Sequence, residues 1–184
     1  MSESFARWFG QSRFLNECGH PQHFYHGTAD DFTAFDLRHC GKVTDASDAA
    51  GAFWFSLRPE RANRAAQDAA IVRNDRNDSA YEDGACVLPV FLRAERIKRF
   101  KGWVPDMEKA THQIETAKAQ GFDAVLWETG ERMGLSGYPS GPVCVVFSAR
   151  QIKSVFNHGD WNPDSESLCD HPTEKRKRSM KPIF

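Results

Sequence analysis

Five short runs limit what this chain can become: HFYHGT (23–28), GAFWFS (51–56), CVLPVFLRA (86–94), FDAVLWE (122–128) and VCVVFS (143–148). Each is of strand length, and most are rich in aromatic or β-branched residues. Helical sequence fills only two of the connections. One is RPERANRAAQDAAIVRND, with Pro59 near its start; the other is EKATHQIETAKAQGF, stopped by Gly121 in a C-terminal cap role. The last two runs are joined by TGERMGLSGYPSGP, a loop punctuated by glycine and proline. Too few helices alternate with the strands for a doubly wound parallel sheet, so the pattern predicts a mixed α+β domain. Pro89 within the third run predicts an edge strand or a bulge, because proline has no N–H for the ladder. Phe5, Trp8 and Phe9 fall at helical spacing before a Gly-His-Pro break and predict an amphipathic N-terminal helix.

At 184 residues the chain has the length of one domain with a substantial core. We expect that domain at 1–162, with 163–184 a polar, basic, disordered tail carrying the KRKR run at Lys175 to Arg178. The balance of 24 Lys and Arg against 25 Asp and Glu leaves a formal charge of -1, so any basic binding site must be local. No apolar run approaches membrane-spanning length and the N-terminus lacks a signal pattern, so the expectation is a cytoplasmic protein with no membrane partner. Five cysteines without a CxxC pair predict no disulfide framework, and Cys144 inside an apolar strand predicts an inert thiol rather than a nucleophile. Cys18, His20, His23 and His26 crowd together, but C-x-H-x2-H matches no common zinc pattern and Pro21 interrupts any helix that would align it, so no metal is expected. GxGxxG, P-loop and HExxH signatures are absent.

Taken in order, ARWFGQSRFLNECGHPQHFYHGTADDFTAFD, GAFWFSLRPERANRAA, GFDAVLW and CVVFSARQIKSVFNHGDWNP form a recognisable set. The sequence resembles the ADP-ribosyltransferase-like domains of phage and mobile-element proteins, distant relatives of the diphtheria-toxin and poly(ADP-ribose) polymerase catalytic fold. The resemblance spans roughly residues 5 to 162. It implies a split mixed β-sheet core with flanking helices, and NAD as substrate. His26 looks like the family's first-motif histidine, and Trp54 stands where the second motif usually has tyrosine. Val143 falls where the third-motif strand usually carries glutamate or glutamine.

What the resemblance implies for the site has a physical counterpart. NAD would lie across two short strands, with the N–H and C=O of Gly27 open to the nicotinamide carboxamide as a third strand would be. A ring nitrogen of His26 suits a ribose hydroxyl, Thr28 offers a hydroxyl to ribose or phosphate, and Trp54 suits stacking on the cationic nicotinamide. Without that context, HGT reads as a strand ending in a turn and FWF as a buried strand.

Cleavage of the nicotinamide–ribose bond builds an oxocarbenium-like charge that a carboxylate normally stabilises, and a valine at 143 supplies none. Glu128, ending its strand, and Glu131, in the following loop, are the expected catalytic substitutes; Gln151 is a weaker one, and Tyr138 is a candidate for stacking on a target. Implied by the resemblance is an NAD-dependent ADP-ribosyltransferase, a glycosyltransferase of toxin-like type. It would move ADP-ribose onto a macromolecular acceptor, protein or nucleic acid, with release of nicotinamide. The alternatives are a catalytically inactive domain that binds nucleotide or a partner, and an NAD glycohydrolase.

Overall fold

A computed structural model describes residues 2–39, 51–76, 84–129 and 139–170. It is a mixed α+β domain. The strands β1 (His23–Thr28), β2 (Phe53–Ser56), β3 (Cys86–Leu92), β4 (Ile97–Phe100), β5 (Ala124–Trp127), β6 (Val143–Val146) and β7 (Ile152–Ser154) form one seven-stranded sheet in the order β4-β5-β6-β2-β1-β3-β7. Every pairing is antiparallel except β4 with β5, whose parallel alignment is made possible by the crossover through α3 (Met107–Ala119).

Side chains alternate across the sheet, and the two faces are covered differently. One face carries α1 (Glu3–Phe9), α2 (Pro59–Arg76) and α3. Phe5, Trp8 and Phe9 of α1 pack with Trp161 on Phe91, and Ala110, Ile114 and Ala117 of α3 pack on Val125, Trp127, Val143 and Val145. Beneath the opposite face, Phe24, Phe53, Phe55, Val90, Leu92 and Cys144 meet Phe14, Phe35 and Leu168 from connecting segments. The expected capping glycine ends α3: Gly121 has φ +73, and Phe122 N–H donates to the Ala117 carbonyl at 3.0 Å.

Two expectations are corrected. Pro89 is neither on an edge strand nor in a bulge, since β3 has β1 on one side and β7 on the other. It is tolerated because β7 is so short that its pairing with β3 stops at Val90, and the Pro89 carbonyl takes the one remaining bond, from Val155 N–H at 3.1 Å. Strands β4 and β7 were not legible as strands. Finally, residues 163–170 do not behave as a loose tail. Leu168 is buried, its N–H donates to the Thr33 carbonyl at 2.8 Å, and Ser167 bridges Ala34. The KRKR run lies outside the described residues.

Candidate functional site

The centre of the sheet is where the ladder opens. On β3 the Pro89 carbonyl faces β7, so the peptide groups of odd-numbered β3 residues face β7 and those of even-numbered ones face β1. Through the register His26↔Leu88 and Gly27↔Val87, His26 bonds to β3, whereas Tyr25 and Gly27 turn their N–H and C=O toward β2. On β2, Leu57 N–H donates to Pro142 O across β6, so Ser56 and Trp54 turn theirs toward β1. Tyr25 and Ser56 pair; the next pair in phase, Gly27 with Trp54, is not formed.

The His26 side chain replaces it. Its Nδ1 lies 2.9 Å from the Trp54 carbonyl oxygen, which can only accept, so Nδ1 carries the proton and Nε2 is left as an acceptor. The imidazole thus joins β1 and β2 beyond their last ladder pair and leaves the Gly27 peptide edge without a strand partner among the described residues. His26 is half-buried against Phe35 (ring centroids 4.9 Å), Phe55 (5.5 Å) and Phe32 (6.3 Å). Desolvation in that aromatic setting lowers its pKa below the ordinary histidine value despite the opposing hydrogen bond to Trp54, so the ring is neutral near pH 7.

Gly27 has a second constraint that sequence reading missed. A Cβ there would fall 2.0 Å from the Ala62 carbonyl oxygen and 2.6 Å from the Ala66 nitrogen. The helix α2 lies directly on β1, which explains its alanine-rich composition: Ala62, Ala66, Ala69 and Ala70 are all buried. Thr28 is buried, and its hydroxyl accepts from Asp30 N–H at 3.0 Å, closing the turn that leaves the strand.

On the helical face, the Trp54 indole lies parallel to that of Trp127 (centroids 5.6 Å, interplanar 2°), and Phe100 continues the stack at 6.1 Å. Val143 is buried in the same cluster, opposite Ser56 and Trp127. Glu128 lies two strands away from β1's neighbour β2, at the end of β5, and its carboxylate is 3.3 Å from the Arg99 guanidinium. Glu131 and Tyr138 lie outside the described residues. Gln151 is fully employed in structure: its Oε1 accepts from Phe147 and Ser148 N–H, and its Nε2 donates to the carbonyls of Arg93 and Asp123. Burial pushes the Cys144 thiol well up, as an inert core cysteine requires.

The stretch of chain that builds this opening, with its His-Gly step and the aromatic on the neighbouring strand, is similar to an ADP-ribosyltransferase-like domain. Residues 16–105, a stretch running from before β1 through β4 and holding His26, Gly27, Thr28 and Trp54, match the family model described as ADP-ribosyltransferase in polyvalent proteins. No curated protein and no solved structure matches at the significance demanded of a relative. Among the described residues no helix is long and apolar enough to cross a membrane.

Proposed function

We propose that the domain binds NAD in the opening between β1 and β2 and transfers ADP-ribose to a macromolecular acceptor, releasing nicotinamide. The observation that carries this reading is the unpaired peptide edge of Gly27, kept open by the His26 bond to Trp54. An amide plane presenting one donor and one acceptor, like the nicotinamide carboxamide, completes that edge as a strand would. Nε2 of His26 can accept a ribose hydroxyl, and Trp54, on the strand across the opening, brings an indole whose stacking on a desolvated cationic ring would be worth about 2 kcal/mol. Thr28 would help mainly by fixing the turn at the strand's end.

The test reads the edge itself. On titration with NAD, and with nicotinamide alone, the Gly27 amide cross-peak in a 15N–1H spectrum should shift and its exchange with solvent should slow. His26→Ala should weaken NAD binding about tenfold in calorimetry, because both the Trp54 anchor and the ribose acceptor are removed. An unmoved Gly27 amide at saturating NAD would overturn the assignment.

For the chemical step we propose a carboxylate from the segment after β5, Glu128 or Glu131, as the group facing the developing sugar charge. Preorganised charge of this kind is commonly worth about a hundredfold in rate. One of Glu128→Gln and Glu131→Gln should therefore cut NAD turnover by about that factor while leaving NAD affinity near wild type. A second reading has its own observation: Val143, at the third-motif position, is 4% exposed and locked between Trp127 and Ser56, so that strand supplies no acid. If both Gln variants keep full turnover, the charge-stabilising group lies elsewhere in the chain; if the wild-type protein has no turnover with any acceptor, the domain is a nucleotide-binding module.

A further inference from the structure

At the far edge of the sheet from β7, a cavity of about 390 Å³ lies between β4, the end of β5 and the start of α3. That volume sits at the lower end of the range for small-ligand sites, ~300–1,000 Å³. Its aromatic wall is Phe100, Trp127 and Trp103, the last 54% exposed despite its size. Lys101 and Lys109 bring two cations with no carboxylate partner among the described residues; Asp106, the acid nearest Lys101 in sequence, accepts the Lys109 backbone N–H at 2.9 Å as the cap of α3. Gln113 holds the Trp127 indole N–H with its Oε1 at 2.9 Å, which leaves its amide hydrogens to donate elsewhere. The basic character continues along the edge strand, where Arg96 and Lys98 both lie over the Phe122 ring, at 5.3 and 5.2 Å.

We propose that this pocket and edge form a binding surface for single-stranded nucleic acid, one base stacking on Trp103 and the flanking phosphates meeting Lys101 and Lys109. Exposed tryptophan beside unpaired lysines suits a ligand that offers a planar π-face and anionic charge at one-nucleotide spacing. An acidic peptide would satisfy the lysines but leave the indole unused. Donors on Gln113 would add contact to a base edge or a phosphate oxygen. The inference goes beyond the NAD reading and does not depend on it, because binding is measured without NAD.

The experiment is fluorescence anisotropy of the full chain with labelled oligothymidylate and oligouridylate of about twelve nucleotides, a length within the usual range of single-strand site sizes. Trp103→Ala should weaken binding about tenfold with an unchanged thermal melt, and Trp103→Phe should restore most of it. Lys101→Ala with Lys109→Ala should flatten the dependence of log affinity on log salt by about 1.4, roughly 0.7 for each phosphate no longer neutralised. Failure of both oligonucleotides to bind at low salt would overturn the proposal. So would full affinity in Trp103→Ala, the result expected if the Lys175 to Arg178 run alone held the strand, or equal competition by an oligoglutamate peptide.

Discussion

Replacing Lys153 by methionine is expected to cost the fold about 3–5 kcal/mol, read as a lowered urea midpoint with the slope kept. Lys153 sits in β7 with no solvent exposure, and its ammonium has three partners: the Asp170 carboxylate at 2.8 Å, the Ser167 carbonyl at 2.7 Å and the Ser165 carbonyl at 3.2 Å. All three hydrogens are used, so the charge is tolerated inside. Without it, the Asp170 side chain, 7% exposed, keeps a buried negative charge whose cation is gone. Asp170→Asn should be costly for the mirror reason. Replacing both members by apolar residues should recover much of the loss, because a buried pair contributes less than its separated halves cost.

The same pair sets an acid limit. Burial alone would raise the Asp170 pKa, but hydrogen bonds from Lys153, Ser165 and the Asn162 N–H, with the Lys153 charge, outweigh it and hold the carboxyl below its ordinary value. A depressed carboxyl contributes stability that is complete above the unfolded value, about 3.9, and is lost as pH falls through the lower folded value. Wild type should therefore lose stability more steeply than Asp170→Asn below about pH 4. A Lys153→Met loss under about 1 kcal/mol would mean that residues 163–170 do not dock as described.

That pair also shows where the sequence stops speaking. Lys153 reads as a surface residue of a short IKS segment, and the stretch bearing its partner is polar apart from Leu168, so nothing local distinguishes a docked strap from a tail. Strand β4 was hidden the same way: IKRF alternates no better than a loop, and its status comes from parallel pairing with β5 across α3. The runs built from phenylalanine, tryptophan and valine were legible because their own packing makes the sheet. His26 and Trp54 were legible as residues of neighbouring strands; that one would hold the other's carbonyl was not, since the bond depends on how two strands diverge. Glu128 was legible as a strand-end carboxylate, but its partner Arg99 belongs to the strand that composition concealed.

Gly27→Ala should lower stability by about 3 kcal/mol or more and remove NAD binding with it. Backbone conformation is not the reason, since Gly27 lies in a regular strand paired residue by residue with β3. The obstacle is α2, whose Ala62 carbonyl would stand 2.0 Å from the added methyl and whose Ala66 nitrogen would stand 2.6 Å away. Both are main-chain atoms of a helix packed through its buried alanines, so neither can swing aside as a side-chain tip could. Relief requires the helix to lift from β1 or β1 to shift toward β2, and the second movement would close the opening that His26 maintains. The two responses separate experimentally. A lifted helix gives a lower melting temperature and weaker protection of α2 amides from hydrogen exchange, while a shifted strand keeps that protection and shows a newly protected amide at position 27 without ligand. Either outcome ties the glycine to the contact that positions the site. A Gly27→Ala variant with wild-type stability and wild-type NAD affinity would show that α2 is not seated on β1, and the open edge would then need another explanation.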